Sequence, residues 1–474
     1  MEKYDTVENE YRVYKERWFI LLATVTLIFT NIMQWVSFSA QIDQTNMFFC
    51  GPEGFHDCSA AFLSNQIYQI VAVIVSIIGM YFATVFGTLP TILYFKLRLA
   101  SVFNILGATI RLLSSLPTLQ NFFWRQFLMI LGTSVAAAAQ MYFVVFSKIA
   151  ESWFFPKHRA SANVACSNSL ELGVVLGTIL PSIIIPSVVS KDLIHSWTFF
   201  FMNSIVAVSC LIPLFLLFIL CRRSIPETPP SASSQHEVNG PVTRGILKCL
   251  TDRQFIVQII VYSINFAIAN GIIYTSNAIN YRGYNLKGYP IAIATLVCMF
   301  SAYFVGIIAD RTRKFKTIAL INAFVVAVSV LALRLYLIKV YSGWYDSVIV
   351  CGLLSIIMSC CAIHTPIGNE MGVETTYPVQ ESISTGVLNT FGQAWLFTLY
   401  FVMYALQDSN WIYRNSGKGG SWELSMDFWA AMSILNFIVA CFFLRPRYNR
   451  LKMEEDAQRT QEALRESVST ICKY

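Results

Sequence analysis

The chain has 474 residues, of which 55% are hydrophobic and only 13% charged, and its mean hydropathy is +0.56. Soluble globular domains carry about 25% charged residues, so a chain this long and this apolar cannot be dispersed in water, and its first partner must be the lipid bilayer. The net charge of +7 is modest and spread along the chain, which excludes the dense basic patch of a nucleic-acid binder.

In chain order, residues 1–17 are polar and charged and do not have the pattern of a cleavable signal peptide. Twelve apolar runs follow, at 18–40, 61–86, 97–116, 123–147, 160–186, 197–221, 254–278, 289–309, 315–338, 345–368, 382–407 and 426–444. Each is close to the roughly 20 residues a helix needs to cross the hydrocarbon core. Only helices and closed barrels satisfy every backbone group in lipid, and barrel strands would alternate polar and apolar residues, which these runs do not. The predicted fold class is an all-α membrane protein with twelve transmembrane helices.

After the first run comes a polar loop bracketed by Cys50 and Cys58. On an oxidising side of the membrane these two can pair as a disulfide; otherwise they are free thiols. The other cysteines are mostly scattered singly inside apolar runs, where Cys acts as a small hydrophobe. Residues 222–253 contain a stretch rich in Pro, Ser and Gly, from Ile225 to Pro241, and read as a flexible linker. It separates an N-terminal bundle, 18–221, from a C-terminal bundle, 254–445. The tail, 446–474, is charged, and Lys452 to Ser467 can form a solvated helix. With the N-terminus inside, 25 of the 34 Lys and Arg fall in the inside segments and the first outside loop has none. The positive-inside rule therefore predicts that both termini are cytoplasmic. A plasma-membrane location is expected.

Two sets of six spans about a polar middle loop resemble the organisation of the major facilitator superfamily. The resemblance implies two six-helix bundles that rock about a midplane site. Gly306-Ile-Ile-Ala-Asp310-Arg311-Thr312-Arg313-Lys314 resembles that superfamily's GxxxDRxxR-like loop. There Gly lets two helices approach, and Asp and Arg latch the helix ends through charge-assisted hydrogen bonds. Asp310 and Arg311 are thus expected gating residues. The counterpart in the first half, from Thr84 to Lys96, has no such Asp, so gating is expected to be asymmetric.

Finer matches follow. Asn31-Ile-Met-Gln34-Trp35, Ala139-Gln140, Trp153-Phe154-Phe155-Pro156-Lys157 and the stretch from Pro366 through Glu374, Tyr377 and Pro378 to Gly386, Asn389 and Gln393 resemble elements of the feline leukemia virus subgroup C receptor-related family. Members are described as transporters of choline and ethanolamine, some also of heme. The resemblance implies a cavity with substrate contacts at Trp35, Tyr274, Gln393 and Gln140. A quaternary ammonium offers no conventional hydrogen bond and is held by aromatic faces, which suits Trp35 and Tyr274. Both residues are equally consistent with helix packing or an interfacial belt.

Glu171, in Asn168-Ser-Leu-Glu171-Leu-Gly173, departs from the family pattern, which has Gln there. A carboxylate in mid-span costs about 2.5–3.5 kcal/mol on insertion scales, so such acids normally face a cavity or a partner. Glu171 can pair with a cationic substrate, can carry a proton as access alternates, since burial penalises its charged form, or can be a protonated group bonded across helices. In the family reading Glu374 belongs to a gate, with Arg159, Lys157 or a linker basic residue as partner, or else it is a solvated loop acid. His364 reads as a packing residue rather than a heme ligand.

A P-loop, GxSxG, HExxH and paired CxxC are missing from the sequence, so neither an enzyme nor an ATP-driven pump is expected, and no cofactor or metal. The expected function is alternating-access transport of a small organic cation such as choline or ethanolamine, with heme as the alternative cargo. A non-transporting receptor or scaffold is the rival of another class, and it would have a closed, apolar midplane.

Overall fold

The computed structural model describes residues 14–453 apart from 53–57, 86–89, 145–148, 150–152, 155, 187, 189, 221–241, 285–288, 313, 340–342, 407–421 and 451. The N-terminal half contains α1 (Glu16–Ser37), α2 (Ile42–Cys50), α3 (Ala60–Val85), α4 (Pro90–Ser114), α5 (Phe122–Ala138), α6 (Pro156–Ile184) and α7 (Thr198–Phe215). A short helix, α8 (Val242–Thr251), precedes α9 (Arg253–Ile279), α10 (Tyr289–Thr312), α11 (Phe315–Tyr336), α12 (Trp344–Thr376), α13 (Glu381–Leu406) and α14 (Glu423–Phe443). Leaving out the short α2 and α8, the described residues form the twelve long helices expected, six in each half.

Ten helices are long and apolar enough to cross a membrane, and Tyr289–Val305 of α10 is a shorter apolar stretch. Helix α13 falls below that composition because it carries Asn389, Thr390 and Gln393, all buried, in its middle. Helices α4 and α6 start before the apolar runs do, at Pro90 and Pro156. Proline suits the first turn, where its missing N–H would be unpaired anyway. Helix α12 passes Pro366 and continues beyond the expected end at 368 to Thr376. Part of the segment read as a flexible linker is the ordered helix α8. Its Ile246 and Cys249 join an apolar cluster with Ile383 and Val387 of α13, so burial of one face overrides the local composition.

Helices approach closely where glycine permits. A Cβ on Gly107 of α4 would lie 2.5 Å from the backbone nitrogen of Ala136 on α5, and one on Gly173 of α6 would lie 2.7 Å from the Phe29 carbonyl oxygen of α1. Small residues at such crossings let backbones pack in place of a hydrophobic driving force that lipid does not provide. The side bearing the Cys50–Cys58 disulfide is here the loop side, and the side where α14 ends, at Phe443, is the tail side. On the loop side the buried Arg125 donates to the carbonyl of Phe48 at 3.0 Å and of Ile194 at 3.2 Å, and its guanidinium lies over the Phe48 ring. One side chain of α5 thereby ties down two connecting segments.

The halves meet along α3 with α13 and α6 with α10. On the loop side Phe62 stacks on Tyr404 with ring centroids 4.0 Å apart, and Gln66 donates to the Phe397 carbonyl at 3.4 Å.

Candidate functional site

Between the halves lies a cavity of about 200 Å3. It runs from mid-membrane, at Trp35, Gln69, Gln140 and Glu171, to Glu370 and Glu381 on the tail side. Of the residues singled out in the sequence, Trp35, Gln140, Glu171 and Gln393 all line it. The side chains of Tyr274, Asp310 and Arg311 lie outside the described residues.

Trp35 sits on α1, where the ring is buried and stacked on Tyr68 of α3 with centroids 6.1 Å apart. Its indole N–H donates to the side-chain oxygen of Asn65, so one edge is fixed and the ring cannot swing. Glu171 comes from the middle of α6, and its carboxylate reaches the Cys298 thiol of α10 across the boundary between the halves. Gln393 is on α13 and Gln140 on the turn Ala139–Val144 that follows α5. An aromatic face, an acid and two carboxamides therefore converge from both halves. Such a set can surround a small cation, with the ring supplying its quadrupole and the acid a charge.

Sequence reasoning missed several contributors to the same wall. Gln69, Asn168, Asn270 and Asn369 also line the cavity; the first three are polar residues within apolar runs, which was the available signal, and Asn369 lies just past the end of one. Tyr68, which does not line the cavity but holds Gln140 behind it, was missed because a buried tyrosine in an aromatic-rich chain carries no such mark. Its hydroxyl donates to Asn31 Oδ1 at 2.6 Å and accepts from Gln140 Nε2 at 3.1 Å. His364 is buried, its Nδ1 has no partner among the described residues, and it is not among the lining residues.

The tail-side mouth carries a charge cluster that spacing could not reveal. Arg450 Nε donates to Glu374 Oε1 at 3.0 Å, and its terminal nitrogen donates to Glu370 Oε2 at 2.8 Å. Asn449 donates to the Thr375 carbonyl at 3.2 Å, and Arg447 lies 3.6 Å from Asp252. The first residues of the expected solvated tail are thus a strap across the ends of α12 and α9. Glu374, with a side chain 1% exposed, is not a solvated loop acid. The side chains of Lys157 and Arg159, the partners considered for it, lie outside the described residues. Burial opposes the Arg450 charge, but Glu370, Glu374 and Glu381 outweigh it and hold its pKa above the ordinary guanidinium value.

Arg450→Ala is expected to cost about 1–3 kcal/mol, because it withdraws a donor from a buried carboxylate. The readout is a lower Tm of the purified protein, and Arg450→Lys should recover it partly, since a point charge cannot fork to two carboxylates. An Ala variant with unchanged Tm would rule out the strap as a stabilising contact.

Comparison with known proteins agrees with the fold. The sequence profile of the Major Facilitator Superfamily matches residues 20–398. The chain is 28% identical over 471 residues to solute carrier family 49 member A3 of Xenopus tropicalis, covering 96% of this chain and 92% of that one. It is 27% identical over 402 residues to the choline/ethanolamine transporter FLVCR1 of Felis catus, covering 81% and 67%. Among solved structures, the proton:xylose symporter XylE bound to 6-bromo-6-deoxy-D-glucose superposes with a TM-score of 0.68 over 92% of this chain and 98% of that one, at 11% identity. That last likeness extends to the fold alone. The profile match spans both halves, and on it this chain, a multi-pass membrane transporter, belongs to the Major Facilitator Superfamily.

Proposed function

We propose that the transporter carries a small organic ammonium cation of the ethanolamine and choline kind. The observation that carries this reading is the convergence of Trp35, Gln140, Glu171 and Gln393 on one cavity. Two relatives support it by name, FLVCR1 of Felis catus and FLVCR2 of Homo sapiens, both called choline/ethanolamine transporters. Tyr274 on α9 is a further proposed contact. Substrate binds between bundles 18–221 and 254–445, joined through 222–253, which rock to expose the cavity to either side in turn. Glu374, held by Arg450, and the Asp310–Arg311 pair form the tail-side gate. On this reading both termini are cytoplasmic and the membrane is the plasma membrane, so the Cys50–Cys58 loop lies outside, where a disulfide persists. No observation favours heme, because the cavity is small for a porphyrin and His364 lies outside its lining.

The test is uptake of labelled ethanolamine and choline by cells expressing the chain, against an empty vector. Trp35→Ala should lower kcat/KM roughly 30-fold, from the loss of about 2 kcal/mol of desolvated cation–π attraction. Trp35→Phe should be milder, since it keeps an aromatic face and loses the Asn65 contact. Wild-type uptake no higher than the empty vector for both compounds would end the reading.

A further inference from the structure

The polar wall of the cavity is short of donors, and at Gln140 this follows from a chain of contacts that leaves no choice of orientation. The Ala136 carbonyl can only accept, so the amide of Asn31, 2.8 Å away, must turn its Nδ2 toward it. That leaves Asn31 Oδ1 to accept from the Tyr68 hydroxyl at 2.6 Å. With its proton committed, the Tyr68 oxygen accepts from Gln140 Nε2 at 3.1 Å. Gln140 Oε1 is then left as an acceptor with no donor among the described residues. Such a network specifies an otherwise ambiguous amide. Gln140 is 1% exposed and lines the cavity.

The C-terminal half repeats the device. The Tyr262 hydroxyl donates to Asn389 Oδ1 at 2.6 Å and contacts Asn369, whose Oδ1 has no donor among the described residues. Gln69 and Gln393, 1% and 6% exposed, also have unpartnered Oε1 atoms. Residues from both halves that line the cavity with Glu171 therefore carry buried acceptors unmatched among the described residues. Leaving such acceptors unmet is unfavourable. A ligand that brings N–H donors satisfies them, whereas a fully methylated ammonium, which has none, takes them out of water unpaired.

We propose that this cavity selects ammonium cations that carry N–H groups over quaternary ammonium, with Gln140 as the reading acceptor and Tyr68 as the residue that positions it. The proposal rests on the organic-cation reading and narrows it, setting this chain apart from a carrier that takes both kinds equally.

The experiment measures uptake kcat/KM in proteoliposomes holding the full chain for ethanolamine, its monomethyl and dimethyl derivatives, and choline. The hydroxyethyl arm and the positive charge stay constant across this series while N–H donors are removed one at a time. A stepwise fall, reaching about tenfold or more at choline, is expected. Tyr68→Phe, which frees the Gln140 amide to rotate, and Gln140→Met, which removes the acceptor, should both flatten the series whatever they do to the absolute rate. Choline transported as well as ethanolamine by the wild type would overturn the selectivity and leave the cation reading standing. A stepwise series with the same slope in both variants would overturn the assignment to Gln140 and Tyr68. Uptake of none of the four would end the cation reading, and this proposal with it.

Discussion

Glu171→Gln is expected to cut kcat/KM for ethanolamine about 30-fold or more while leaving the amount of folded protein unchanged. Gln has nearly the same shape and can still bond to the Cys298 thiol, so packing between α6 and α10 is preserved. What disappears is a formal charge in a cavity walled by Trp35, Val174, Met358 and Pro366, where water screens little. Truncating one partner of a desolvated charge pair costs about 2–5 kcal/mol, and the lower end of that range already gives the 30-fold loss. The measurement is initial uptake at matched surface expression, repeated across external pH. A variant within threefold of wild type would reduce Glu171 to a group bonded across helices. A variant that keeps substrate exchange but loses the pH response of net uptake would assign it to proton carriage instead.

Gly107→Val should abolish folded protein. A first side-chain atom at this position would lie 2.7 Å from both the Cα and the Cβ of Ala136, besides its clash with the backbone nitrogen. Neither helix can yield easily. On the far side of the crossing, an atom added to Gly132 would lie 2.7 Å from the Arg111 side chain, and Arg111 is itself buried, donating to Ser37 at 2.9 Å. Overpacking of this kind costs about 3 kcal/mol or more when backbone must move. The consequence reaches the cavity, because Ala136 is the carbonyl that orients Asn31 and, through Tyr68, Gln140. Gly107→Ala should therefore give a reduced yield of protein with altered substrate selectivity. Size-exclusion profiles and Tm in detergent check the Val variant, and a monodisperse, wild-type-like sample would disprove the tight crossing.

Much of the candidate cavity lining was legible before the fold was known, and the reason differs from residue to residue. Glu171 stands out because a carboxylate in an apolar run is costly wherever the helix points. Trp35, Gln140 and Gln393 were found through short stretches resembling a known family, not through periodicity, since an aromatic or amide on a buried helix face is as often packing as site. Arg450 and Tyr68 were not legible. Arg450 meets Glu374 and Glu370 across 76 and 80 residues of sequence, from a tail whose composition indicates solvent. Tyr68 acts through neighbours on two other elements.

By itself the sequence determined the number of spans, their helical character and the division into two sets of six. Each span is a local property: about 20 apolar residues must bond their own backbone in lipid, whatever surrounds them. Tertiary structure alone decided which polar side chains share a cavity, that part of the linker is a helix, and that Arg447, Asn449 and Arg450 at the start of the tail form a strap. Helical periodicity says which face a residue occupies but not which helix lies opposite. The contacts that define this site, Asn31 to Tyr68 to Gln140 and Glu171 to Cys298, all cross from one helix to another.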